Sequence, residues 1–231
     1  MSNVHHYGDR DQLAEALASG IAAVLAGAIA TRGEARLAVS GGTTPLRFFR
    51  RLSQADIEWG KVTVTLVDER FVDPESERSN LRLVRENLIR DKAAVAHVIP
   101  LTDGSHARIE DAVATADHAI AMLGRLDVAV LGMGNDGHTA SFFPQGDRLQ
   151  DALDPKCPHH VLSMVAPGAG EPRLTMTLHA LLDAHFLALH IEGEEKSTAL
   201  GEAGEAGAVE EMPVRAVLLG AGEKLQIFWA P

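Results

Sequence analysis

Short apolar runs, rich in β-branched residues and each leading into a glycine-rich or charged turn, constrain this chain more than any other feature. They are Arg36–Val39, Val62–Val67, Leu126–Leu131, His185–Ile191 and Val214–Leu219, with a closing run at Leu225–Trp229. Such runs predict strands covered on both faces, as in a parallel sheet. Helical spacing fills the intervals. Leu13, Leu17, Ile21, Val24 and Leu25 share one face over Asp11–Ala30, and Pro45–Leu52 opens on a proline suited to a first helical turn. Asn80–Ile89 carries Leu81, Val84 and Leu88; Glu110–Leu123 carries Val113, Ile120 and Leu123, with Ile109 just ahead. Strands alternating with helices predict an α/β fold, a mostly parallel sheet flanked by helices. The 231 residues show no linker or internal repeat and fit a single domain spanning 1–231. Aromatic residues are only 4%, so the core is built mainly from Ala, Val, Leu and Ile. The small, acidic segment Gly201–Gly207 predicts a mobile loop.

Charge and cysteine content exclude several functions. A net charge of −11 argues against nucleic acid as a partner, because a phosphate backbone needs clustered Lys and Arg. One cysteine, Cys157, cannot form an intramolecular disulfide, which fits a reducing compartment. Residues Met1–Asp9 are polar, and the apolar stretch Ile21–Ala30 is too short and too rich in Ala and Gly to span a membrane. The expectation is a cytoplasmic protein with no membrane partner. Cys157 with His159 and His160 superficially resembles a metal site. Adjacent histidines do not easily ligate one ion, so no metal is expected.

In open parallel sheets ligands bind beyond the carboxyl ends of the strands. Four segments there carry chemistry. Ser40-Gly41-Gly42-Thr43-Thr44-Pro45 lies between a strand and a helix. Its glycines admit a ligand close to the backbone, and its hydroxyls and the helix N-terminus add donors, which suits a phosphate; a plain turn has the same composition. Asp68-Glu69-Arg70 follows Val67 directly, and Arg70 offers a planar fork to a carbonyl or phosphate oxygen, or to a surface ion pair. Gly132-Met133-Gly134-Asn135-Asp136-Gly137-His138-Thr139-Ala140-Ser141 sets a histidine among glycines on an open backbone. Of eleven histidines only His138 has this setting, which suits a group that acts as base and then as acid near neutral pH. The fourth pairs Arg173, before Leu-Thr-Met-Thr, with Lys196, just beyond the strand ending at Ile191. Either cation reads equally as surface charge.

These segments, in this order and spacing, resemble the 6-phosphogluconolactonase family. They are Ser40-Gly-Gly-Thr-Thr-Pro45, Val67-Asp-Glu-Arg70 with Ser79-Asn80 downstream, Gly132-x-Gly-x-Asp-Gly-His-Thr-Ala-Ser141, Arg173-Leu-Thr-Met-Thr177 and Glu195-Lys196. The resemblance implies a Rossmann-like fold, no required cofactor, and a phosphorylated sugar lactone as substrate in the oxidative pentose phosphate pathway. It also implies a phosphate held by Ser40, Gly41, Gly42 and Thr43 together with Arg173 and Lys196, with Asp68 in the binding set. Glucosamine-6-phosphate deaminases share the Asp-Gly-His core. Where their motif has a Glu this chain has Phe143, which has no proton to exchange, and where they usually have Tyr after Asp-Glu it has Arg70. Both differences favour lactone hydrolysis over deamination. A non-catalytic sugar-phosphate sensor is the reading from another class; the intact His138 and the lack of a basic DNA-binding helix oppose it.

For lactone hydrolysis the expectation is that His138 deprotonates a water attacking the carbonyl and then protonates the departing ring oxygen. Asp136 orients His138 or the water, and Arg70 or backbone N–H groups stabilise the oxyanion. With a screening length of about 8 Å, distant acids count for little, so the site is expected to be a basic patch on an acidic protein. The assembly is expected to be a monomer or small homo-oligomer.

Overall fold

The computed structural model describes residues 3–231; Met1 and Ser2 lie outside the described residues. In chain order its elements are β1 (Val4–His6), α1 (Arg10–Arg32), β2 (Ala35–Val39), α2 (Leu46–Leu52), β3 (Val62–Leu66), β4 (Asp68–Arg70), α3 (Asn80–Asn87), β5 (His97–Val98), α4 (Ile109–Leu123), β6 (Val128–Leu131), α5 (Leu149–Leu153), β7 (Val161–Met164), β8 (Arg173–Met176), α6 (Leu178–Leu182), β9 (Phe186–Glu192), α7 (Glu194–Ala203), α8 (Val214–Ala221) and β10 (Leu225–Ala230). Seven strands form one sheet in the order β1-β10-β9-β6-β2-β3-β5, and every neighbouring pair is parallel. A second sheet, β4-β8-β7, is antiparallel. This is the expected α/β fold with a mostly parallel sheet flanked by helices.

The sheet is parallel because its strands are apolar on both faces. All four residues of β6 are buried, as are five of the seven in β9. Helix α1 covers part of one face. Asp9 caps it by accepting a bond from the Gln12 N–H at 2.8 Å, and Gly33, at φ 83°, ends it in the left-handed conformation that glycine adopts without penalty. Leu13, Leu17, Ile21 and Leu25 are fully buried along α1, each contributing roughly 1.5–3 kcal/mol relative to exposure. By length and composition this 23-residue helix could cross a membrane, which the expectation based on Ile21–Ala30 alone did not register. Here its apolar stripe packs on α2, β2 and β10.

The structure corrects four expectations. Val214–Leu219 is not a strand but most of helix α8, entered through Pro213. Val214 and Val217 point inward at helical spacing while Leu219 is exposed, and the strand beside β9 is β10. Val62–Val67 ends as a strand at Leu66, and the chain then crosses into the second sheet. Asp68-Glu69-Arg70 is therefore a strand, β4, and Arg173 opens its partner β8. At three and four residues, neither strand has the length that marks a strand in sequence. Gly201–Gly207 is not simply a loop: α7 continues through Ala203, and the Arg215 guanidinium donates back to the carbonyls of Glu202 (3.1 Å) and Ala208 (2.9 Å).

His159 and His160 fold around Asp117 of α4. The Asp117 carboxylate accepts from His159 Nδ1 (2.8 Å), His160 N (2.6 Å) and Val161 N (3.1 Å), which fastens the start of β7 to α4. Burial alone would raise the Asp117 pKa, but the bonds from His159 and the two amides outweigh it and hold the carboxyl below its ordinary range. A depressed carboxylate stabilises the fold above its unfolded value of about 3.9 and loses that contribution as pH falls through the folded value. Asp117→Asn keeps an oxygen for the two backbone amides but sets an NH2 donor against His159 Nδ1 and removes the charge, so a loss of about 1–3 kcal/mol and a drop in Tm of roughly 3–10 °C are expected at pH 7. Thermal melts from pH 7 to pH 3 should show the gap between wild type and variant closing below about pH 4. A gap that stays constant across that range would show that the ionised carboxylate is not the tie.

Candidate active site

A cleft of about 310 Å³ opens beyond the carboxyl ends of the adjacent strands β2, β6 and β9, where an open parallel sheet places its ligands. Ser40, Gly41, Gly42 and Thr43 line it after β2, His138 after β6 and Lys196 in the first turn of α7 after β9. Asp68, Arg70 and Arg173 line it from the second sheet. Asp136 does not face the cleft; it stands behind His138.

The loop carrying His138 is a tight coil that only its glycines permit. The Gly134 amide donates to the His138 carbonyl at 2.9 Å and the Gly137 amide to the Gly134 carbonyl at 3.0 Å. A side chain at Gly134 would lie 2.3 Å from the imidazole, and Gly137 has φ 75°. His138 Nδ1 lies 2.6 Å from Asp136 Oδ1. This bond, more than any other influence, holds the Asp136 carboxyl below its usual range and keeps it ionised at neutral pH. An ionised acceptor there selects the tautomer with the proton on Nδ1 and leaves the Nε2 lone pair available. Nε2 has no hydrogen-bond partner among the described residues.

Strands β4 and β8 bring two arginines face to face, Arg70 opposite Arg173 in register. Like charges directly opposite are unfavourable in a sheet. Arg70 Nη1 donates to the Arg78 carbonyl, while its Nε is buried with no partner among the described residues. Arg173 donates from Nη2 to the Ala169 carbonyl (2.5 Å) and stands 3.9 Å from Asp68; its Nε is likewise buried and unpaired. Burial, more than the neighbouring Arg70, lowers the Arg173 pKa. Two guanidinium groups that line one corner of the cleft suit an anionic or polarised oxygen. Asp68 is itself held by the Ser141 hydroxyl, which donates at 2.6 Å, and by the Asn80 amide.

Glu69, the middle residue of the triplet, points the other way. Its carboxylate accepts from the amides of Arg70 (2.7 Å), Asn80 (2.8 Å) and Leu81 (2.6 Å) and caps α3. Burial raises its pKa against these bonds.

At the opposite end Lys196 Nζ donates to Thr44 Oγ1 at 3.1 Å, so the cation is fixed against the Gly-rich loop. Burial lowers the Lys196 pKa, opposed by the nearby Glu192. Arg173 and Lys196, read from sequence as a pair, share the cleft but sit among different neighbours. Three cations and one carboxylate, Asp68, line the cleft of this acidic protein, which gives the basic patch that was expected.

Sequence reading missed several residues that line the cleft. Thr44 and Asn80 stand out in the sequence only as parts of motifs, and Phe143 only for the proton it lacks. His190, inside the run His185–Ile191, also lines the cleft. It is 1% exposed, with Nε2 3.3 Å from Glu192, and burial lowers its pKa so that it is neutral. No local pattern marks it. Among the described residues no group of three His, Cys, Asp or Glu side chains is placed to hold a metal ion.

A family model described as glucosamine-6-phosphate isomerases/6-phosphogluconolactonase matches residues 8–229, and the chain belongs to that family. It is 56% identical over 231 residues to the 6-phosphogluconolactonase of Rhizobium meliloti, covering all of this chain and 99% of that one. It is 39% identical to the Pseudomonas putida 6-phosphogluconolactonase over 99% of this chain and 93% of that one. The crystal structure of a 6-phosphogluconolactonase from Shewanella baltica superposes with a TM-score of 0.95 at 36% identity, covering all of this chain and 98% of that chain. A monomeric glucosamine-6-phosphate deaminase shares the fold, with a TM-score of 0.80 at 18% identity over 99% of this chain and 97% of that one.

Gly41 tests how tightly the loop is built. A Cβ there would fall 1.9 Å from Asn80 Oδ1, and the Asn80 amide is anchored on the Asp68 carbonyl at 2.9 Å. Gly41→Ala should displace the loop and weaken binding of inorganic phosphate at least tenfold by titration calorimetry, since a misplacement of about 1 Å can cost as much as 10²-fold. Unchanged affinity would mean that the loop does not hold the anion.

Proposed function

We propose that this chain, acting as a single domain, hydrolyses 6-phospho-D-glucono-1,5-lactone to 6-phosphogluconate. The observation that carries the reading is His138, held at Nδ1 by Asp136 and presenting an unpartnered Nε2 beside a cleft with cations at both ends. The activity borne by the names of the similar proteins supports it.

The phosphate end is formed by Ser40, Gly41, Gly42 and Thr43 with Lys196; Arg173, expected with them, pairs opposite Arg70 and sits over Phe143, and so joins His138 and Arg70 at the reacting end. His138 Nε2 takes a proton from a water whose oxygen attacks the lactone carbonyl carbon. Charge moves to the carbonyl oxygen, where the guanidinium groups of Arg70 and Arg173, which line the cleft, stabilise it. Loss of one good donor at such a position is worth roughly 3 kcal/mol. As the carbonyl re-forms, the ring C–O bond breaks and the imidazolium returns its proton to the departing oxygen. One histidine serves both steps, and Asp136 holds its tautomer throughout. Asp68 braces Arg173 and Ser141 at the same end.

Phe143 favours hydrolysis over ring-opening isomerisation, because it fills the place next to His138 with a ring that exchanges no proton. The reading requires no cofactor and takes neither nucleic acid nor membrane as a partner. It describes a cytoplasmic enzyme working as a monomer or small homo-oligomer.

The test uses freshly generated 6-phosphogluconolactone, with the spontaneous rate as reference. Wild type should accelerate hydrolysis; His138→Ala should lower kcat at least 100-fold, within the ~10²–10⁴-fold typical of general base catalysis. Lys196→Ala should instead raise KM roughly tenfold and leave kcat within about threefold, as expected where binding to the unreacting phosphate is lost. No acceleration by wild type would remove the function. Full activity in His138→Ala would remove the base and keep the function.

A further inference from the structure

His138 and Arg173 converge on one aromatic ring. The Phe143 centroid lies 4.3 Å from that of the His138 imidazole with the planes 27° apart, a stacked arrangement, and Arg173 Cζ lies 5.4 Å from the same centroid. Phe143 is 4% exposed and lines the cleft. Its neighbour Phe142 is fully buried and makes no ring contact with His138, so simple packing has a comparator one residue away.

The hydrogen bond to Asp136 fixes one atom of the imidazole. Rotation about the terminal side-chain torsion of histidine is broad, so one bond at Nδ1 leaves the ring plane to swing and Nε2 to wander with it. A flat surface against the imidazole removes that freedom. The absence of a side chain at Gly134 keeps the space beside the ring open, since a Cβ there would overlap Cε1 and Nδ1 at 2.3 Å. The electrostatic effect runs the same way. The face of a phenyl ring is negative, and it attracts an imidazolium more than a neutral imidazole. Attraction that grows as the base takes up its proton acts in the transition state and accelerates the step.

We propose that Phe143 is a positioning residue for the base: its ring face fixes the plane of the His138 imidazole, holds the charge that imidazole gains, and ties the base to Arg173. The inference rests on His138 being the base.

The experiment measures kcat, KM and Tm with fresh lactone for Phe143→Leu, Phe143→Tyr, His138→Asn and the double variant Phe143→Leu/His138→Asn, with Phe142→Leu as packing control. Phe143→Leu should lower kcat roughly tenfold with KM within about threefold, and Phe143→Tyr should keep kcat within about threefold of wild type, because it retains the ring face. In the His138→Asn background Phe143→Leu should change the residual rate less than about twofold, since the group it positions is gone. Phe142→Leu should lower Tm without the kcat loss. Phe143→Met is the same probe should the leucine variant fail to fold. Wild-type kcat in Phe143→Leu, an equal loss in Phe143→Tyr, or an undiminished effect in the His138→Asn background would each overturn the proposal. Wild-type kcat in His138→Asn alone would overturn the base assignment and the proposal with it, a result distinct from the other three.

Discussion

One residue joins the two sheets. The Val67 amide donates to the Val39 carbonyl on β2 at 3.0 Å, and its carbonyl accepts from the Met176 amide on β8 at 2.8 Å. Between them the chain changes partners: β3 belongs to the parallel sheet and β4, beginning at the next residue, to the antiparallel one. A buried backbone whose two polar groups bond to different sheets has little freedom to shift. The loops after β2, β6 and β9 form one side of the cleft because the parallel sheet ends there. The second sheet supplies the opposite side because Val67 docks it at that edge.

Within this frame polar groups are held by short bonds over long sequence separations. Ser141 to Asp68 spans 73 residues, Asn135 to Glu195 spans 60, and Lys196 to Thr44 spans 152. Each joins a loop from one strand end to an element from another. Side chains fastened in this way meet a ligand without first being ordered, which lowers the entropic cost of binding. The Nε atoms of Arg70 and Arg173 are the exceptions: both are buried with no hydrogen-bond partner among the described residues.

What could be read from the sequence follows from the range of the interactions. His138 and Ser40–Thr43 were legible because glycine density and a preceding apolar run are local signals. The strands β2, β6 and β9 were legible because burial on both faces makes each a mostly apolar run. Strand β4 was not, since three charged residues become a strand only by pairing with a segment more than a hundred positions away. Helix α8 reads as a strand in sequence because a short apolar run fits either periodicity, although Pro213 stands just before it. Glu69 was taken with its neighbours as site chemistry, and its function as a cap depends on where α3 lands. His190 sits at the cleft only because Glu192 and Phe48 pack around it, and a lone histidine in a strand does not announce that.

The alternation of β4 carries a consequence for how this segment tolerates change. Asp68 and Arg70 face the cleft while Glu69 between them faces α3. Side chains along a strand alternate strictly, so a one-residue insertion or deletion after Val67 would exchange every role at once. An insertion would carry Glu69 into the place of Arg70, and a deletion would drive the Arg70 guanidinium against the amides that begin α3. Substitution at any one of the three positions damages one function; a change of length damages helix, corner and sheet junction together. The triplet is therefore a unit of fixed length, open to change in letter and closed to change in count, and any lineage or library that explores this site must do so around it.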